Sequence, residues 1–169
     1  MVRVTGVSNK RVSVAALIAV KPGQRPRLIY RVHHGRGPRK DQRKDQRKGF
    51  TEADYARLLD AAHQQLGGPL VVVWDNLNSH VSQAMTELIA ARDWLTVYRL
   101  PPYANELSPV DPAWSCLKRS LANLAKRNLS QLTALVKTRL KRMQYRPGLL
   151  DGFLAGTGLD LTPFGNPHH

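Results

Sequence analysis

Five consecutive apolar residues, Leu70–Trp74 (LVVVW), run without a break into Asp75-Asn76. The run is far too short for a membrane helix, which needs about 20 apolar residues. Its β-branched content predicts a strand buried on both faces, as in a sheet with helices packed on either side. A carboxylate then stands at the carboxyl end of a central strand, where open α/β sheets bind ligands. Asp and Asn also end strands for a purely local reason, because they form Asx turns and cap the helix that follows. On this segment alone both roles are open.

The surrounding pattern fits the same class. Arg11–Val20 (RVSVAALIAV) reads as a buried strand, Lys21-Pro22-Gly23 as a turn, and Arg27–His33 (RLIYRVH) as an alternating strand, together an antiparallel hairpin. Thr51 opens a helix with Tyr55, Leu58, Leu59, Ala62 and Leu66 on one face, and Thr51 with Asp54 resembles a capping box. Gly67-Gly68 ends it. A helix is predicted over residues 79–91, a strand over Trp94–Leu100, and amphipathic helices over residues 111–125 and 130–144. The expected architecture is a mixed α/β sheet with flanking helices, one domain over residues 1–155 and a loosely ordered tail over 156–169. Cys116 is the single cysteine, which excludes an internal disulfide framework and Cys-based zinc fingers. His33-His34 and His168-His169 lack partners at metal-ligand spacing.

Charge narrows the function. The chain of 169 residues carries a formal net charge of +14, which points to a polyanionic partner. Residues 1–50 are net +12, residues 51–110 net −4, and residues 111–169 net +6. An acidic centre containing Asp75 therefore lies between two basic flanks. Gly35–Lys48 (GRGPRKDQRKDQRK) has no apolar residue and repeats DQRK in tandem, as a small duplication in a surface loop would. Its Arg36, Arg39, Lys40, Arg43, Lys44, Arg47 and Lys48, with Lys137, Lys141 and Arg142 on the outer face of the last helix, are candidate DNA-phosphate contacts. With no signal-peptide apolar block at the start, a cytoplasmic protein is expected, nucleoid-associated when bound to DNA and without a membrane partner.

A second segment, LPPYANELSPVDPAW (Leu100–Trp114), also carries a strand into a polar loop, here ending at Asp111. Asp followed by Pro112 reads most simply as an N-cap with proline at the first helical position. Two carboxylates at neighbouring strand ends are nevertheless the minimal way to hold Mg²⁺ beside a phosphodiester. His80 reads either as a polar site residue or as a helix-start residue bonded to backbone, and Trp114 more simply as core.

Taken together the two segments carry a family resemblance. WDNLNSH resembles the D-N-x-x-x-H segment of the DDE transposases of insertion sequences related to the mariner superfamily. LPPYANELSPVDPAWSCLK resembles their L-P-P-Y-S-P-x-L-N-P-I-E-x-x-W-x-x-L-K segment, and the 35 residues between Asp75 and Asp111 match the family's usual spacing. The resemblance, which spans about Arg11 to Met143, implies an RNase H-like fold and metal-dependent DNA cleavage and strand transfer. It implies Asp75 and Asp111 as the second and third catalytic acids, holding Mg²⁺ or Mn²⁺ in a two-metal site. Asn76, His80, Pro101, Pro102, Tyr103, Asn105, Trp114 and Lys118 match positions that shape that site. Ser108 and Ala104-Asn105 depart from the family's pattern, and with them the loop's hydrogen bonding.

The family's first acid lies on a strand upstream of the hairpin, yet no Asp or Glu precedes Asp41. The resemblance thus implies the C-terminal part of the DDE domain, lacking its first strand, with an exposed hairpin edge and little activity alone. An upstream-encoded transposase segment or a homo-oligomer would then be a partner beside DNA. Two other functions fit parts of the chain: a catalytically dead basic DNA-binding remnant, and an unrelated small α/β metal-dependent phosphohydrolase using Asp75.

Overall fold

The computed structural model describes residues 2–5, 11–34, 49–104, 107–122 and 129–158. Strand β1 (Val2–Thr5) pairs antiparallel with β2 (Arg11–Ala19), and β2 pairs antiparallel with β3 (Arg27–His34), in the order β1-β2-β3. The Lys21–Gln24 turn closes the hairpin, with Gly23 at φ 74°. β1 is absent from the sequence reading, which begins the sheet at Arg11. Its four residues, VRVT, carry no acid, and they cover the β2 edge that was expected to be open.

Alternation along the hairpin builds two cores. Val12, Val14 and Leu28 face one side, where Trp114, Leu117, Val136, Leu140 and Leu150 pack on them. Those partners come from α3 (Val110–Leu121), α4 (Leu129–Gln144) and α5 (Pro147–Ala155). Ala15 and Ile29 face the other side, against Tyr55, Leu58, Leu59 and Ala62 of α1 (Glu52–Leu66). The capping box at the start of α1 is present: the Asp54 N–H donates to Thr51 Oγ1, and the Thr51 N–H donates to Asp54 Oδ2 at 3.0 Å. Gly67 closes the helix with φ 65°, a left-handed conformation that costs glycine little.

β4 (Leu70–Trp74) and β5 (Leu95–Arg99) pair in parallel and form a second sheet, linked through α2 (Gln83–Ala90). Leu70, Val72, Trp74 and Leu95 join the core beneath α1 and α2. The expectation that β4 is buried on both faces fails: Val71 is 70% exposed and Val73 59%, beside Tyr98 on β5. The apolar run could not reveal this, because α3, α4 and α5 pack over β2 and β3. α2 begins at Gln83, four residues later than predicted, because Ser82 accepts the Met85 N–H and so sets the cap there. The tail over residues 159–169 lies outside the described residues.

Arg92, after α2, ties this unit to α1. Its Nε and Nη2 donate to Asp60 Oδ1 and Oδ2 at 2.7 and 2.9 Å, while Nη1 donates to the Leu88 carbonyl. The Arg92 hydrogen bond holds the Asp60 carboxyl below its ordinary range. A carboxyl lowered in the folded state stabilises above its unfolded pKa of about 3.9 and loses that contribution as pH falls further. Arg92→Ala should therefore reduce stability by about 1 kcal/mol at pH 7, as expected of a partly exposed bidentate pair. The deficit should shrink when urea unfolding is repeated near pH 3; an equal deficit at both pH values would contradict this linkage.

Candidate active site

The carboxyl end of β4 carries the first candidate acid. Asp75 Oδ1 accepts the Leu77 N–H at 3.1 Å, the Asx turn that its position after a strand suggests. The same oxygen lies 2.8 Å from His80 Nδ1, and since a carboxylate only accepts, Nδ1 carries the proton. Among the described residues Oδ2 makes no hydrogen bond, and the side chain is 42% exposed. The Asx turn and the His80 contact therefore use one carboxylate oxygen, and among the described residues the other accepts no hydrogen bond. Asn76 locks the strand end from the other side, its Nδ2 donating to the Leu100 carbonyl at 2.8 Å.

His80 is 9% exposed and sits among aromatic rings. It stacks on Trp74 at 4.3 Å between centroids and 10° between planes, and meets Tyr55 edge-on at 4.8 Å and 82°. It lies in the turn before α2 rather than in the helix, and its bond to a side-chain carboxylate sets aside the purely backbone role. Burial pushes the imidazole pKa below its ordinary value, with Asp75 pulling partly back. The ring is thus a neutral donor to Asp75, while Nε2 is buried without a partner among the described residues.

Asp111 is the second acid. The N-cap expectation for it is corrected: α3 starts at Val110 with Pro109 as its cap residue, and no side chain caps it. Asp111 lies inside the first turn, exposed to solvent, so local helix chemistry does not consume its carboxylate. Pro112 fits there because the first N–H groups of a helix have no intrahelical acceptor. Although the residue is exposed overall, partial desolvation of the carboxyl pushes Asp111 above its ordinary value; the Asp75 charge adds to this and Lys118 opposes it. Asp75, remote in sequence, is thus near enough for its charge to raise the Asp111 carboxyl.

The loop between β5 and α3 holds Pro102 and Tyr103 at the surface. Tyr103 is 96% exposed at φ 71°, a left-handed conformation uncommon for a side chain of its size. Trp114 is 7% exposed and belongs to the core, which places it behind the site rather than in it. Asn105 lies outside the described residues, as do Arg36, Arg39, Lys40, Arg43, Lys44, Arg47 and Lys48. Lys137, Lys141 and Arg142 are exposed on α4. Sequence reasoning missed the aromatic cage of Tyr55 and Trp74 around His80. The signal was available in part, since Trp74 directly precedes Asp75.

Among the described residues no three His, Cys, Asp or Glu side chains converge as a metal cluster. The donor set is two carboxylates, one of them with an oxygen free of hydrogen bonds, which suits a single hard cation that retains water.

Fold and site together define a mixed α/β domain with Asp75 at the carboxyl end of a parallel strand and Asp111 in the first turn of α3. The model of the DDE superfamily endonuclease family matches residues 40–135, a span that includes both acids, and the chain belongs to that family. No curated protein matches it. Among solved structures it is similar to the catalytic domain of Mos1 mariner transposase, with 12% identity over 89% of this chain and 83% of that one, and a TM-score of 0.47. It is similar also to the Mos1 transposase paired-end complex with left transposon end, at 14% identity over 87% of this chain and 55% of that one, TM-score 0.48. A third is the simian T-cell lymphotropic virus intasome in complex with the PP2A regulatory subunit B56 gamma, at 11% identity over 93% and 58%, TM-score 0.46. Among the described residues no helix is long and apolar enough to cross a membrane.

Proposed function

We propose that the chain carries the catalytic site of an insertion-sequence transposase, acting on DNA phosphodiesters with a divalent metal. The observation that supports this most is the placing of Asp75 at the end of β4 and Asp111 in the first turn of α3, where the Asp75 charge helps to raise the Asp111 carboxyl. Asp75 and Asp111 would hold Mg²⁺ or Mn²⁺. When bound, the ion supplies Lewis acidity to the scissile phosphate and activates the attacking oxygen.

The chain's own residues set up that chemistry. His80 and the Leu77 N–H fix Asp75 Oδ1, which leaves Oδ2 to face the ion. Asn76 keeps the ends of β4 and β5 together, so that the loop leading to Asp111 departs from a fixed point. Lys118 favours the ionised form of Asp111. The surplus of cations draws DNA toward the site and lowers the cost of bringing a phosphate near two carboxylates.

Two acids neutralise one divalent ion better than two, so the polypeptide by itself is expected to bind metal and DNA yet transfer strands poorly. The alternative is a basic DNA-binding remnant without a working metal site, favoured by the lack of any carboxylate before Asp41. Duplex DNA binding over a salt series, with and without Mg²⁺, separates the two. The transposase reading expects a Mg²⁺-dependent gain in affinity that Asp111→Ala removes. Identical affinity with and without Mg²⁺ at every salt concentration would leave only the remnant.

A further inference from the structure

Helix α4 ends in a stripe that the proposed cleavage site does not use. Thr138, Lys141 and Arg142 lie on one face of α4, Tyr145 follows directly after the helix with its N–H still donating to the Lys141 carbonyl, and all four are exposed. No Asp or Glu occurs anywhere in α4. Tyr145 is 75% exposed, an unusual position for so large an aromatic side chain.

Tyr145 is also a ridge between two shallow surface grooves of about 420 Å³ each. Lys141, Arg142 and Arg146 line one groove, and Arg25 and Arg27 from the hairpin turn line the other. Neither groove is lined by a carboxylate. The ridge is anchored from below, because Gln144 Nε2 donates to the Leu28 carbonyl of β3 at 2.6 Å. The aromatic ring is thus held outward on a fixed base with cations on either side.

This surface lies far from Asp75. Tyr55, in the first turn of α1, touches His80, whereas the far end of the same helix meets the hairpin turn. There Arg27 Nη1 donates to the Gln65 carbonyl and Lys21 Nζ to the Leu66 carbonyl. Tyr55 and Leu66 are eleven residues apart on α1, which separates the two ends by about 16 Å at ~1.5 Å per residue.

We propose that the Tyr145 ridge and its two flanking grooves are a second nucleic-acid surface, which binds an unpaired DNA strand by stacking a base on Tyr145. An exposed ring flanked by cations suits a single strand, because every base presents a π-face once it is unpaired and its phosphates fall to either side. Duplex DNA can use the cations but not the ring. This assignment rests on the reading of the chain as a DNA-processing enzyme, and extends it to a site that handles a strand away from the bond being cut.

The test is fluorescence anisotropy of a labelled single-stranded oligonucleotide and of its duplex, with the full chain in EDTA so that the carboxylate site is silent. Tyr145→Ala should weaken single-strand binding about tenfold, and duplex binding less than threefold, while Tyr145→Phe restores the single-strand affinity. Replacing both Arg142 and Arg146 by Ala should lower the slope of log affinity against log salt by about 1.4 for the single strand. Wild-type single-strand affinity in Tyr145→Ala would overturn the proposal, as would an equal loss for single strand and duplex. Mg²⁺-dependent binding lost in Asp111→Ala but retained in Tyr145→Ala keeps failure here distinct from failure of the transposase reading.

Discussion

Asp75→Asn should reduce Mn²⁺ affinity by more than about 100-fold without unfolding the chain. Changes to groups that merely orient a ligand cost roughly 10–100-fold in metal affinity, and removing one of two anionic ligands should exceed that. Asn is the informative replacement because of how Asp75 is held. Its Oδ1 already accepts from Leu77 and His80, and an asparagine Oδ1 can accept the same two bonds. The amide nitrogen then takes the place of Oδ2 and presents hydrogens, not a lone pair, to the cation. Electron paramagnetic resonance titration of Mn²⁺ should find about one bound ion in the wild type and none in the variant over the same range. Thermal unfolding gives an independent reading. A metal at 100 times its Kd stabilises the folded state by about 2.7 kcal/mol, so Mn²⁺ should raise the wild-type midpoint and leave that of Asp75→Asn unchanged. Unaltered Mn²⁺ binding in the variant would remove Asp75 from the site.

The parts of the fold legible in the sequence are those that local chemistry specifies. LVVVW followed by Asp-Asn forms β4 with the predicted ends, and Thr51 with Asp54 forms the cap on α1, because each is decided within a few residues. The start of α3 was misplaced because Asp-Pro is a strong local signal, yet proline is tolerated throughout a first helical turn and not at one position in it. That displacement is what leaves the Asp111 carboxylate available. β1 is too short at four residues to show a periodicity. α5 did carry a signal, with Pro147 at its start and Leu149, Leu150, Phe153 and Leu154 at helical spacing. The exposure of Val71 and Val73 was not legible at all, since an apolar strand says nothing about whether a second layer reaches over it.

The site divides along the same line. Asp75, Asn76, His80 and Asp111 could be selected from two segments, but not the bond that joins His80 to Asp75 nor the rings that hold His80 in place. Those contacts depend on Tyr55, which comes from a different helix and lies 20 positions before Asp75. The cationic ridge at Tyr145 has the same origin. Its residues come from the end of α4, the link from α4 to α5 and the segment leading into β3, brought together where Gln144 bonds to β3.

His80→Phe should weaken Mn²⁺ binding about 10-fold to 100-fold while the chain remains folded, because it removes orientation and keeps packing. Phenylalanine can occupy the stack on Trp74 and the edge contact with Tyr55, but it cannot donate to Asp75. Asp75 Oδ1 would keep only the Leu77 N–H, and its carboxylate would be freer to rotate away from the metal-facing position. Folding stability should be unchanged or higher, since the substitution also removes a buried Nε2 that has no partner among the described residues. His80→Asn should behave in the opposite way. Its amide nitrogen reaches much of the way to the place of Nδ1 and can donate to Asp75, so Mn²⁺ affinity should stay closer to the wild type. Its loss of the aromatic contacts, worth about 0.5–1.5 kcal/mol per pair, should lower the thermal midpoint. Metal affinity and stability would then respond in opposite order to the two substitutions, a crossing that a purely structural histidine would not produce. If His80→Phe binds Mn²⁺ as the wild type does, the histidine only fills space between Trp74 and Tyr55, and the Leu77 N–H alone orients Asp75.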